Sequence, residues 1–117
     1  MLIFQLLLLH SLSFLIAKNG EQSEYVIIYP QNDSSAKNAS FLLQNYIKNL
    51  TEVEVPISDD SSTCPSKSIL VGQTSCTPNN TRSFSQNSED SFYLQTQGDT
   101  FIINGGTRGV HYGVMEI

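Results

Sequence analysis

The sequence predicts a small α/β domain of the α+β type, in which helices pack on one mixed sheet in the order β-α-β-β-β-β-α. Three observations lead to this prediction. A run of β-branched residues begins near residue 25, an amphipathic helical repeat follows it, and a strand–turn–strand pattern surrounds residue 98. With 117 residues, the chain has room for one domain of modest size.

The first strand is predicted over residues 24–29 and ends at Pro30. Val26, Ile27 and Ile28 are apolar in succession, which is typical of a central strand covered on both faces.

A helix is predicted over residues 35–50, with residues 32–35 supplying N-cap side chains. Residues three and four apart form one apolar stripe, made of Ala36, Ala39, Leu43, Tyr46, Ile47 and Leu50. Phe41 lies off this stripe, and we expect it to meet another part of the protein.

Two short strands come next, over residues 52–58 and 67–72. Pro56 cannot donate a backbone hydrogen bond, so the first of them is expected at a sheet edge. Residues 74–91 are rich in Asn and Ser and predict a long exposed loop.

Strands over 91–97 and 100–104 flank Gly98-Asp99, a pair suited to a two-residue hairpin turn with positive φ at the glycine. A final helix is expected over 108–117, with Val110, Val114 and Ile117 on one side. Because the sequence stops within an apolar helical turn, without a cap, we expect a truncated domain ending in an incomplete helix.

Residues 1–17 form an apolar run without Asp, Glu, Lys or Arg, and small Ala17 precedes polar residues. This pattern predicts a secretory signal peptide, and the domain would then comprise residues 18–117. The alternative is a membrane anchor, for which the run is short and too rich in polar residues.

Two further features are typical of the secretory route. Four positions match the N-glycosylation pattern N-x-[ST], namely Asn32, Asn38, Asn49 and Asn79. Cys64 and Cys76 are the two cysteines and are expected to form a disulfide. The alternative is a pair of buried free thiols.

The charge and the candidate chemical groups predict no catalytic, cofactor-binding or metal site in this chain. The net charge of −5 argues against nucleic acid and anionic membranes as partners. The adjacent acids at 59–60 and 89–90 lie in polar loops, where nothing apolar would raise a pKa. His111 is the one histidine after the leader and is expected to be a partly buried helix residue.

The glycine-rich stretch 105–109 lacks the phosphate-binding fingerprint, so a tight strand-to-helix turn is the better interpretation. Eight of the aromatic residues are expected mainly in the core, although a sugar-stacking platform is the alternative for them. They are Tyr25, Tyr29, Phe41, Tyr46, Phe92, Tyr93, Phe101 and Tyr112.

Taken together, these motifs resemble the N-terminal domain shared by β-N-acetylhexosaminidases, α-glucuronidases and related glycoside hydrolases. Part of the resemblance lies in three segments. They are the opening strand Tyr25-Val26-Ile27-Ile28-Tyr29-Pro30 with the helix that follows it, Val55-Pro56-Ile57, and Ile69-Leu70-Val71-Gly72. Its most specific part is Gly105-Gly106-Thr107-Arg108-Gly109-Val110-His111-Tyr112-Gly113. The cysteines, the glycosylation patterns and the Ser/Asn-rich loop lie outside the family pattern.

The resemblance implies a non-catalytic accessory domain that packs beside a catalytic (β/α)₈ barrel. In this family the catalytic acids lie on the barrel, and no position of this sequence matches them. The expected function is therefore a role in glycan breakdown as part of a secreted or lysosomal glycosidase. One alternative is a stand-alone secreted module that binds glycans, and another is a product that cannot fold without its barrel.

Overall fold

The computed structural model describes residues 24–61, 63–78, 92–106 and 108–115. They form five strands and two helices, which are β1 (Val26–Tyr29), α1 (Ser34–Thr51), β2 (Ile57–Asp59), β3 (Ser68–Val71), β4 (Phe92–Gln97), β5 (Thr100–Gly105) and α2 (Gly109–Met115). The predicted fold class and element order are confirmed. The leader predicted at 1–17 and the glycosylation pattern at Asn79 lie outside the described residues.

The sheet has the strand order β2-β1-β3-β5-β4. Strands β2, β1, β3 and β5 are parallel to one another, and β4 is antiparallel to β5. β1 therefore lies inside the sheet, as its run of apolar residues predicted. β2 lies at an edge, as Pro56 predicted.

The second predicted strand begins later than expected, because residues 52–56 connect α1 to β2 without forming a strand. Glu52 adopts a left-handed conformation, with φ of 62°, and its N–H donates to the Lys48 carbonyl oxygen at 2.7 Å. Val53 and Val55 are nevertheless buried. The two valines alternate with polar residues because their side chains are buried where the chain connects α1 to β2, and not because this segment pairs as a strand.

Helix α1 begins at an N-cap aspartate, within the group of side chains that the sequence suggested. The Asp33 carboxylate accepts a hydrogen bond from the Ala36 N–H at 3.0 Å. The buried side of the helix consists of Ala36, Ala39, Ser40, Leu43 and Ile47. The prediction that Tyr46 and Leu50 belong to it is wrong: they are 40 % and 51 % exposed.

Both helices cover the same face of the sheet. One apolar cluster joins the sheet residues Ile27, Ile69, Val71, Phe101 and Ile103 to Leu43 of α1 and to Val110 and Val114 of α2. Ile28, Leu70 and Ile102 belong to the opposite face and are also buried.

The predicted hairpin is confirmed, since β4 and β5 pair from Phe92–Gly105 to Gln97–Thr100. Gly98 has a φ of 62°, as the turn requires. The final helix starts at Gly109, one residue later than predicted, and Ile117 lies outside the described residues. None of the helices in the described part is long and apolar enough to cross a membrane.

Candidate functional site

The edge where the parallel strands end is a candidate position for a binding site. In open α/β sheets, ligands bind outside the carboxyl ends of the strands, where the strand order reverses. In this sheet the reversal lies at β1, since the chain moves from β1 to β2 on one side and later returns to β3 on the other. The loops that follow β1 and β3 therefore line the candidate position.

These two loops pack directly against each other. Gly72 follows β3 with a φ of 89°, and its N–H donates to the Ile103 carbonyl oxygen at 2.8 Å. A Cβ atom at this position would lie 3.1 Å from the Ala36 Cβ and 3.2 Å from the Pro30 ring. The space between the two strand ends is thus occupied by Pro30 and the first turn of α1.

Asp60 holds three loops together at the same edge. Its carboxylate accepts hydrogen bonds from the Gln31 N–H at 3.0 Å and from the Ser75 N–H at 2.9 Å. The Ser75 hydroxyl donates in turn to the Asp60 carbonyl oxygen at 2.9 Å. The loops after β1, β2 and β3 are therefore joined through one aspartate.

Asp59 is bound by its neighbour Ser61, whose hydroxyl and N–H both donate to its carboxylate. The hydroxyl hydrogen bond, followed by the backbone one, lowers the pKa of Asp59. A glycosidase general acid needs the opposite shift, because it must keep its proton near neutral pH. The other acidic pair considered in the sequence, Glu89-Asp90, lies outside the described residues.

A serine–histidine pair links the beginnings of the two helices. Ser35 Oγ and His111 Nδ1 lie 3.4 Å apart, a weak hydrogen bond between α1 and α2. His111 is half-buried, as predicted. A nucleophilic pair of this type also needs an acid to orient the imidazole. Within the described ranges, no carboxylate hydrogen-bonds the His111 ring, so the pair is best explained as a link between helices.

A second polar contact at this edge joins the end of β5 to the loop after β3. The Asn104 side chain is buried and donates to Gln73 Oε1 at 2.7 Å. It also accepts a hydrogen bond from the Gly105 N–H at 2.8 Å. Across the described ranges, no group of three or more His, Cys, Asp or Glu side chains is placed to hold a metal ion.

The predicted disulfide between Cys64 and Cys76 is present, with 5.5 Å between the Cα atoms. It ties the segment before β3 to the loop after it. The prediction of an exposed loop from residue 74 is wrong at its start, because Thr74 and Thr77 are buried. Their hydroxyls lie 3.1 Å apart, and the Thr74 N–H donates to Thr77 Oγ1 at 3.0 Å. This local turn accounts for the burial of two polar residues.

The glycine block that carries the family resemblance is a packing unit. It leads from the end of β5 into α2, where the Val110 N–H donates to the Gly106 carbonyl oxygen at 3.1 Å. Thr107, within the predicted tight turn, lies outside the described residues. A Cβ atom at Gly113 would lie 2.9 Å from Ile103 Cγ2 and 3.4 Å from the Phe92 ring. Only glycine therefore lets α2 approach the hairpin this closely.

Three of the four predicted glycan acceptors lie in the described part of the chain, and all three are exposed. Asn32 is in the turn before α1, and Asn38 and Asn49 lie on α1. The latter two are eleven residues apart, close to three helical turns, so they project from the same side of the helix. That side faces away from the sheet.

The outer surface of the helix layer carries large apolar side chains. Tyr46 and Leu50 of α1 and Tyr112 and Met115 of α2 are exposed, Met115 by 70 %. Phe41 and Leu42 are exposed on α1 as well. The expectation that the aromatic residues lie mainly in the core is wrong for Phe41, Tyr46 and Tyr112, and it holds for Tyr25 and Phe101.

No protein-family model matches this chain, and no curated protein matches it either.

Proposed function

We propose that this chain is the non-catalytic N-terminal domain of a secreted glycoside hydrolase of the hexosaminidase or glucuronidase type. Its partner is a catalytic (β/α)₈ barrel of the same protein, and its role lies in glycan breakdown. The observation that carries the proposal is the apolar outer flank of the helix layer, defined by Tyr46, Leu50, Tyr112 and Met115. Clustered apolar side chains on a surface are typical of an interaction site.

The contact between the helices supports placing this flank on one side of the layer. Ser35 contacts His111 of α2. Tyr46 follows Ser35 by eleven residues, close to three helical turns, and Leu50 follows Tyr46 by four, so all three lie along one side of α1. Tyr46 and Leu50 therefore lie along the side of α1 on which Ser35 contacts α2. A second domain that packs on this flank would bury apolar surface, at about 25 cal/mol for each Å² removed from water.

The structural roles of Asp59 and Asp60 support the proposal that the catalytic acids lie outside the described residues. Asp60 serves as the hydrogen-bond acceptor that joins three loops, and the pKa of Asp59 is lowered by Ser61. Glycoside hydrolysis needs two carboxyl groups placed across a sugar, one of them kept protonated. The glycine block supports the resemblance to this family, because the close approach of α2 to the hairpin requires a glycine at position 113.

A secretory location is part of the proposal, either extracellular or lysosomal. The leader at 1–17, the exposed Asn32, Asn38 and Asn49, and the Cys64–Cys76 disulfide are all compatible with it. The disulfide contributes least to this argument, since it is also compatible with other oxidising compartments.

The sequence of the complete transcript tests the proposal. We expect the reading frame to continue beyond Ile117 into a barrel of about 250 residues with paired carboxylates at the ends of its strands. A stop codon directly after Ile117 would contradict it.

A second candidate is a stand-alone secreted module that binds glycans. The observation in its favour is the exposure of three aromatic side chains on the helix layer, those of Phe41, Tyr46 and Tyr112. A glycan array distinguishes the two functions. Binding that is lost when these three residues are replaced by alanine would favour the module, and an array without binding would exclude it.

A further inference from the structure

One glycan acceptor, Asn38, is flanked on its helix by two exposed apolar side chains. Asn38 lies on α1, and Phe41 and Leu42 follow it by three and four residues. Positions with these spacings are neighbours on a helix surface, with Cβ atoms about 5–6 Å apart. Phe41 and Leu42 are 46 % and 41 % exposed, so two large apolar side chains flank the asparagine on its C-terminal side.

The direction of helical side chains brings these groups together. Long side chains on a helix point back toward its N-terminus and cover the preceding turn. Phe41 and Leu42 therefore lean toward Asn38. The first sugar of an N-glycan, N-acetylglucosamine, has a ring face made of C–H groups and an apolar acetyl methyl group. Such a face can pack on an aromatic ring and a leucine side chain.

Asn49 provides the contrast within the same helix. The residues three and four positions after it are Glu52 and Val53. Glu52 is the left-handed cap that ends α1, and Val53 is buried. A glycan on Asn49 thus has no pair of exposed apolar side chains on the C-terminal side of its asparagine.

We propose that Asn38 carries an N-glycan whose first N-acetylglucosamine packs between Phe41 and Leu42 and covers them. This inference rests on the secretory route of the proposed function. Phe41 and Leu42 are covered by the glycan, and the flank formed by Tyr46, Leu50, Tyr112 and Met115 is left for the partner domain.

Attachment of this glycan has to precede folding. The acceptor pattern at Asn38 needs the hydroxyl of Ser40, which is buried and donates to the Ala36 carbonyl oxygen at 2.8 Å. A chain that receives its glycans while it enters the secretory pathway meets this condition. The same chain, folded before it is offered to the glycosylating enzyme, is expected to stay unmodified at Asn38.

The test uses the full chain, expressed with its own leader in secretory eukaryotic cells. Mass spectrometry of the peptides shows which asparagines carry glycans. The glycans are then either trimmed to a single N-acetylglucosamine or removed completely, and urea unfolding is measured for each form. We expect the trimmed form to keep the stability of the intact glycoprotein. Complete removal raises the equilibrium constant for unfolding about fivefold, as expected for one aromatic contact.

Two variants make the test specific. Asn38→Gln reproduces the loss, whereas Asn49→Gln, on the same side of the same helix, leaves the unfolding constant within about twofold of the parent. In Phe41→Ala, removal of the Asn38 glycan has a smaller effect than in the parent, because the ring is gone and only Leu42 remains to contact the sugar. Nuclear Overhauser effects between the acetyl methyl group and the Phe41 ring protons give a direct readout.

The outcomes separate this inference from the function on which it rests. A chain that is retained in the cell without any glycan contradicts the secretory route and this inference together. Glycans at Asn32 or Asn49 with an unmodified Asn38 overturn this inference alone. Equal destabilisation by Asn38→Gln and Asn49→Gln, or a glycan effect unchanged by Phe41→Ala, also overturns it.

Discussion

Gly113 lies where the last helix comes closest to the hairpin, and its missing side chain sets the distance between them. Ile103 is completely buried, so its methyl group cannot move aside for an added Cβ atom. The same residue belongs to the block on which the family resemblance depends. A glycine in a helix interior is otherwise unfavourable, which indicates that packing selects it here.

Replacing this glycine tests the close approach. Overpacking costs about 1–3 kcal/mol, whereas alanine gains about 1 kcal/mol in helix propensity. We therefore expect Gly113→Ala to lower the free energy of unfolding by about 1 kcal/mol, measured by urea denaturation. Asn45→Ala, at an exposed position of α1, is the control and raises it by a few tenths of a kcal/mol. Stabilisation by both substitutions would contradict the contact with Ile103.

The Asp59–Ser61 contact leads to a prediction about pH. Folding lowers the pKa of Asp59, so the ionised Asp59 carboxylate stabilises the folded state. This stabilisation is present above the ordinary pKa of aspartate and is lost as the pH falls below about 4. In Ser61→Ala the hydroxyl donor is absent, and we expect the Asp59 pKa to rise toward its ordinary value. Carboxyl-carbon NMR titration measures this change. An unchanged titration midpoint would show that the hydroxyl is not the main cause.

The local sequence predicted some of these features, but the hydrogen-bond partners of polar side chains could be identified only from the folded structure. The two cysteines and the Gly98 turn follow from local sequence. Asp60 reaches Gln31 and Ser75, 29 and 15 residues away, and His111 reaches Ser35 across 76 residues. No local pattern marks contacts between such distant positions. The sequence therefore predicted a loop at Asp60 without its role in joining three loops.

At the scale of elements, helix α1 shows both the strength and the limit of periodicity. Its length, its cap region and most of its buried side were predictable from apolar spacing. Tyr46 and Leu50 fit the same spacing but are exposed, so only part of the apolar stripe is covered. Periodicity identifies which residues share a side, and tertiary packing decides how much of that side is covered.

The cap of this helix is expected to contribute measurably to stability. Asp33→Ala removes the acceptor for the Ala36 N–H and should lower the free energy of unfolding by about 1 kcal/mol. Asp33→Ser retains a capping oxygen and should lose less than half of that amount. Thermal and urea unfolding followed by circular dichroism measure both. Equal losses in the two variants would mean that the carboxylate matters for a reason other than capping.

The disulfide fixes the loop after β3, next to the Ser75 contact with Asp60. Closing a loop between residues 64 and 76 limits the unfolded chain and stabilises the fold by about 3 kcal/mol in the chain-entropy model. We expect the Cys64→Ser, Cys76→Ser double variant to lose roughly that much in urea unfolding. For a domain of this size, this is a large part of the total stability. Loss of less than about 1 kcal/mol would contradict a structural role for the bond.

The strand order and the two-helix layer determine which surfaces of the protein are available for function. The element order was predictable because each strand and helix has its own local pattern. The order of strands in the sheet depends on pairing between distant segments, which local patterns do not encode. For the same reason, the contact between Pro30 and Gly72, which fills the space at the strand ends, could not be predicted.

We propose that this domain supports a catalytic barrel of the same protein and does not catalyse by itself. The most direct measurement is the mass and glycosidase activity of the native protein captured by an antibody against residues 24–61. We expect a glycoprotein large enough to include a barrel of about 250 further residues, together with activity toward an aryl hexosaminide or glucuronide. The isolated 117-residue chain should lack that activity. A captured polypeptide that ends at Ile117, with no activity in the captured fraction, would contradict the claim.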